Sequence, residues 1–191
     1  MTLNQVYKAF ALLGMIGAII QIGSITYAYF DTDTTVPRTI NTFALIFIIF
    51  GIIVSYLVQY KQLGWFGLIG FIVVFIGLLL IVGLSWGEAF ARPVIEDLDP
   101  SLIAIKGSKS PDLPSPLAEG TVISFFTFNI GLILYSIALL KSSTLARWAG
   151  ILFLLGLIGN FVPPDDDKGL YFLNAAVLWI GWKVWTRKAE A

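Results

Sequence analysis

The chain of 191 residues contains no cysteine and no histidine. Without cysteine there is no disulfide, no Cys–His nucleophile and no thiolate for zinc or an iron–sulfur cluster. Without histidine there is no imidazole general base, no Ser-His-Asp triad and no ordinary haem ligand. Charge is scarce as well. Only 13% of residues are charged, against roughly a quarter in an average soluble domain, and this excludes a soluble globular reading. Apolar side chains fill the space instead, at 58% of residues, with 15% aromatic.

A charge at the centre of a membrane helix costs about 2.5–3.5 kcal/mol on the insertion scale, so charge-free runs mark candidate spans. They are Ala9–Phe30, Thr39–Tyr60, Gln62–Gly87, Gly120–Leu140, Trp148–Pro164 and Gly169–Trp182. The first four each exceed the roughly 20 residues needed to cross about 30 Å of hydrocarbon. The fifth is tight. The sixth reaches Trp185 if Lys168 and Lys183 extend their stems toward the two interfaces. The first run is longer than the roughly 7–15 apolar residues of a signal-peptide core, so it reads as a retained helix. The expectation is one all-α domain over residues 1–191, a bundle of six transmembrane helices, with residues 88–119 forming a long outer segment.

An even number of spans puts both termini on one side. That side holds Lys8, Lys61, Lys141, Arg147, Lys183, Arg187 and Lys188 against Glu190 alone, a net +6. The other side holds five basic residues against eleven acids, a net −6. Lysine and arginine in short loops stay cytoplasmic. The termini are therefore expected inside, in a prokaryotic cytoplasmic membrane. Trp65, Trp148, Trp182 and Trp185 fall at the same inner interface.

Two stretches resemble each other. Gly51 corresponds to Gly131 and Lys61 to Lys141 at a shift of eighty residues, and Trp65-Phe66-Gly67 to Trp148-Ala149-Gly150 after a three-residue insertion. Either a hairpin has been duplicated, or two inner turns have met the same interfacial demands. The run Leu145-Ala146-Arg147-Trp148-Ala149-Gly150-Ile151-Leu152 resembles small prokaryotic six-helix membrane proteins of unknown function, which open an inner-side helix with Leu-x-Arg-Trp-x-Gly-x-Leu. The resemblance covers one hairpin, and it implies a membrane protein without known catalytic residues.

The candidate site is a set of uncharged polar residues in the outer half of the spans. Gln21, Ser24, Ser85, Asn129, Asn160 and Asn174 share that depth, with Glu88 and Arg92 at its mouth. An unpaired amide in hydrocarbon costs several kcal/mol, so these groups either line an outward-facing pocket or bond to one another between helices. Glu88 and Arg92 are spaced i, i+4 and can pair on one face, with Pro93 expected to end the helix. Asp99-Pro100 and Ser115-Pro116 have the form of helix starts. The outer acids, including Asp165, Asp166 and Asp167, read as solvated loop charge, and a shared cation site would need more converging oxygens. No metal ligand set or cofactor is expected.

Glycine is the other resource. Span three holds Gly64, Gly67, Gly70, Gly77, Gly83 and Gly87, and span one offers Gly14 and Ala18 at small-xxx-small spacing. Such faces serve tight packing within one chain, a homo-oligomer or a membrane protein partner. The scattered inner basic residues suit anionic lipid rather than nucleic acid. No ionisable residue lies at mid-span, which argues against an ion-coupled carrier. The expected role is that of an accessory, scaffold or sensing membrane subunit. The alternatives are a small transporter or channel using the outer polar pocket, and an enzyme using outer carboxylates.

Overall fold

Helix α1 (Leu3–Ala28) begins where Thr2 caps it. The Thr2 hydroxyl accepts the Gln5 N–H at 3.3 Å, while the Gln5 side-chain carbonyl accepts the Thr2 N–H at 2.7 Å, so two otherwise orphaned donors are satisfied together. The computed structural model describes residues 2–30, 35–98, 117–142, 144–160 and 168–186. The expected starts at Asp99-Pro100 and Ser115-Pro116, and the acidic turn 163–167, lie outside the described residues. The other elements are α2 (Thr35–Leu57), α3 (Tyr60–Trp86), a π-helical turn (Gly87–Ala91), α4 (Arg92–Leu98), α5 (Leu117–Lys141), α6 (Thr144–Gly159) and α7 (Lys168–Thr186). Among the described residues there is no strand.

Since α3 runs through the π turn into α4, the seven α-helices form six rods. Four of these are long and apolar enough to cross a membrane: α1, α2, the α3–α4 rod and α5. α6 has 16 residues and α7 has 19. Helices start ahead of the charge-free runs because a terminal Lys or Arg lets the backbone continue while its head reaches water. Pro93, expected to end the third helix, does not do so: α4 continues to Leu98. Proline is tolerated in a first helical turn, where its missing N–H leaves no bond broken, and the π turn just before it re-registers the backbone.

Neighbour relations set the helices in a ring in the order α1, α2, α3, α5, α6 and α7, with α2 and α7 also touching across it. α1 packs between α2 and α7, α3 between α2 and α5, and α6 between α5 and α7. The closest backbone approaches lie within three hairpins, α1–α2, α3–α5 and α6–α7. At Gly14 an added Cβ would sit 2.5 Å from the Gly51 Cα. At Gly131 it would overlap the backbone of Val74, and at Gly77 that of Phe128. Gly156 and Gly159 do the same work against Leu173 and Gly169. The tight inner turn between α2 and α3 does not give an equally close pair, because the stacked rings of Tyr56 and Phe71, 4.5 Å apart, stand between those helices.

The eighty-residue correspondence has a structural counterpart. Gly51 and Gly131 each mark the point where a helix crosses its hairpin partner. Going around the bundle, α2 to α5 and α3 to α6 are each a step of two places in six.

The turn between α2 and α3 packs beside the end of α5, and the first half of α1 beside the last turns of α7. Gly181 lies against Ala11 and Met15, the Lys141 Nζ stands 5.5 Å over the Phe66 ring, and Ser142 bonds Gln59. Near the α2–α3 turn Gly64 takes φ 57° and ψ −161°, a conformation open in practice only to glycine, and it kinks the start of α3.

These contacts give a graded prediction. Gly131→Ala should lower stability by about 1–3 kcal/mol through overpacking against a backbone that cannot yield. Gly64→Ala should cost a similar amount, about 1–3 kcal/mol, through strain alone. Gly83→Ala should be near neutral, since nothing lies within 4 Å of its added Cβ. Thermal unfolding of the purified protein in one detergent checks all three.

Candidate functional site

The outer-half polar residues fall into two groups according to the helices that carry them. The first joins α1, α2 and the end of α3. Gln21, buried, donates from Nε2 to the Asn41 side-chain carbonyl at 2.8 Å. One turn further out, the Ser24 hydroxyl donates to the Pro37 carbonyl at 2.7 Å. A proline in the first turn of α2 leaves that helix start open to such a contact, because the early carbonyls of a helix are accessible from its flank. α1 and α2 are therefore tied twice beyond their glycine crossing.

At the same end the Thr42 hydroxyl sits between two carbonyls, Arg38 at 3.0 Å and Ser85 at 3.1 Å. Ser85 thus contributes its backbone carbonyl to the α2–α3 junction, just ahead of the π turn. Three residues on from Ser85, Glu88 accepts from the Arg92 guanidinium at 2.8 Å, the i, i+4 pair expected from the spacing. Arg38 from α2 approaches the same carboxylate oxygen at 3.8 Å. Two guanidinium groups around one carboxylate leave a local excess of positive charge. The Glu88 side chain is 45% exposed, so solvent screens this cluster, and its contribution to stability is small.

The second group lies on α5, α6 and α7. Asn129 donates from Nδ2 to the Phe125 carbonyl at 2.7 Å, and Asn174 donates to the Leu170 carbonyl at 2.9 Å. Both bonds run back along the same helix. The carbonyl oxygens of Asn129, Asn160 and Asn174 are buried and accept no hydrogen bond from the described residues. That of Asn160 lies against Gly169, where an added Cβ would overlap it. No hydrogen bond joins these three amides to one another or to the first group. The eight candidate residues therefore form several local contacts and not one site.

A third network lies in the inner half, where sequence reasoning placed no candidate. The Ser55 hydroxyl donates to the Ile52 carbonyl at 2.7 Å, which leaves its oxygen to accept from the fully buried Tyr135 at 2.6 Å. One turn inward, Gln59 donates to the Ser55 carbonyl and accepts from Ser142 at 3.3 Å. α2 and α5 are thus linked across the centre, and Phe71 and Phe153 flank the tyrosine ring. The available signal was the repeat itself, because Ser55 and Tyr135 are eighty residues apart and so occupy corresponding positions.

Among the described residues, no three carboxylates come together as a metal cage. No protein-family model, curated protein or solved structure matches the chain.

Burial makes a testable statement about the outer pocket. Gln21, Asn129 and Asn174 are 3%, 5% and 0% exposed. Single cysteines at these three positions should resist a membrane-impermeant thiol reagent added from outside, while one at the exposed Glu119 should label fast. Rapid labelling of all three would establish a water-filled pocket reaching these side chains.

Proposed function

We propose that the chain is a six-span integral membrane protein of a prokaryotic cytoplasmic membrane, with both termini inside, acting as an accessory or scaffold subunit through helix contacts. The observation that carries this reading is where the polar side chains spend their hydrogen bonds. Gln21–Asn41, Ser24–Pro37, Thr42–Ser85 and Ser55–Tyr135 each tie one helix to another. Such ties are modest singly, about 0.6 kcal/mol on average in a membrane, and together they fix one arrangement of helices. Supporting the inside location of the termini is the gathering of Lys61, Lys141 and Lys183 at one end. There each ammonium lies 5.0–5.9 Å from an aromatic ring, a pairing suited to the headgroup interface.

The fifth and sixth spans rest on α6 and α7. α6 is short for a full crossing, at about 24 Å by rise per residue, and it packs through Gly150, Gly156 and Gly159 against its two neighbours. Local bilayer thinning or an interfacial extension makes up such a deficit at modest cost.

One observation favours a second reading, a small transporter. Three buried amide oxygens without donors are acceptors that a polar solute could satisfy during passage.

The experiment is purification in native lipid discs, with flux measured after reconstitution. The accessory reading predicts a stoichiometric membrane protein partner and no solute flux above empty vesicles. The transporter reading predicts flux that falls at least tenfold in Asn129→Leu and Asn174→Leu. Flux with that dependence, and no partner, overturns the accessory reading.

A further inference from the structure

α1, α3 and α6 carry one burial pattern. Read position by position, residues 12–19, 72–79 and 151–158 are exposed, half-buried or buried in the same order. The exception is Leu157, half-buried where Ala18 and Leu78 are buried. The offsets are sixty residues from α1 to α3 and seventy-nine from α3 to α6. α2, α5 and α7 carry a second pattern. Positions 48, 49, 51, 52, 55 and 59 of α2 are buried, and so is every counterpart eighty residues on in α5. A further forty-five residues on, in α7, all six are buried again. First and second helices step by different offsets because the connections within the three hairpins differ in length.

Burial fixes these offsets along single helices, and the contacts between helices obey them independently. Within the hairpins, Gly17 lies against Ile48, Gly77 against Phe128 and Gly156 against Leu173. Between the hairpins, Tyr56 stacks on Phe71. At the next seam a Cβ added to Gly150 would meet the Ser136 carbonyl at 2.9 Å, and at the third a Cβ added to Gly181 would meet that of Ala11 at 3.1 Å. Both sets of contacts step from hairpin to hairpin by the same offsets. Two inner turns under the same interfacial demands would explain a likeness between two seams. They would not explain the third seam, α7–α1, where no turn joins the helices.

We infer that α1–α2, α3–α5 and α6–α7 are three copies of one helical hairpin, closed into a ring about a pseudo-three-fold axis, and that Asn129 and Asn174 are one polar seam position of that repeat occurring twice. Each asparagine lies seven residues, about two turns of helix, before the seam contact at Ser136 or Gly181, and so on the same face. Each donates to the carbonyl four residues back, and each leaves a buried amide oxygen without a donor among the described residues. Two amides in identical circumstances at one position of a repeat are a built feature of the fold. The acceptors that favour the transporter reading therefore include a matched pair in two separate seams, α5–α6 and α7–α1. At the α2–α3 seam the position is Ile49, so that seam lacks the acceptor.

The repeat makes a prediction specific to one register, read by thermal unfolding of the purified full-length protein. Ile49→Asn places an amide at the third equivalent position, with the Leu45 carbonyl four residues back, as Phe125 and Leu170 are for the other two. Ile48→Asn makes the same change one residue away at similar burial, where the counterparts Phe128 and Leu173 are apolar. Ile49→Asn should lower the melting temperature by less than half the drop that Ile48→Asn causes, with loss of all folded protein counted as the larger drop. A fall of half or more, or loss of folded protein in both variants, overturns the inference. The converse changes Asn129→Ile and Asn174→Ile each install the residue of the first copy. They should move the melting temperature in the same direction, and shifts of opposite sign overturn the equivalence of the two seams.

Discussion

In a bilayer an apolar helix gains nothing by exchanging lipid for another apolar helix, so association depends on backbones coming close enough for dense van der Waals contact. Each of the three hairpins meets that constraint with glycine. Gly14 and Gly51 cross directly, Gly131 and Gly77 admit the backbones of Val74 and Phe128, and Gly156 and Gly159 admit α7. The ring order of the helices follows from these pairings together with the looser contacts that join each hairpin to the next. Elsewhere large side chains fill wider gaps. Tyr56 against Phe71, and Tyr135 against Phe153, occupy the spaces between hairpins.

Hydrogen bonds then choose one register among the arrangements such packing allows. Some polar side chains bond back to their own helix, as Ser136 does to Leu132 and Ser124 to Gly120, and so remain satisfied at little cost. Others reach across. Gln21 to Asn41 near one end and Tyr135 to Ser55 near the other hold neighbouring helices at fixed heights. The π turn at Gly87–Ala91 belongs to the same economy of backbone groups. It lies beside the carbonyl that Thr42 bonds and it orients Glu88 toward Arg38 and Arg92.

Much of this was legible from residue type alone. Charge-free runs located the four long rods, because the cost of burying charge acts on sequence directly, and the i, i+4 spacing of Glu88 and Arg92 identified their ion pair. Of the glycines on α1 and α3, Gly14 meets a neighbouring backbone and Gly83 meets open space within the chain, since spacing defines a face and says nothing about which side of the helix its partner occupies. Pro93 misled for a related reason: proline ends a helix only where its missing N–H and its ring meet an ordinary turn, and the π turn ahead of it removes that condition. The outer amides shared a depth, which sequence can show. They did not share a site, because depth leaves the angle around each helix open. The Ser55–Tyr135 contact was hidden in the repeat, visible as a correspondence and not as a bond.

Sorted by the side that the six-span reading gives each residue, the neutral total charge divides into +6 and −6. This asymmetry underlies the proposed assignment of inside and outside. Labelling of single cysteines in intact cells with an impermeant maleimide tests it most directly. Asp97→Cys and Glu119→Cys should react from outside, while Lys61→Cys and Thr186→Cys should react only after the membrane is opened. Reaction of Thr186→Cys in intact cells, or protection of Glu119→Cys, would contradict the account.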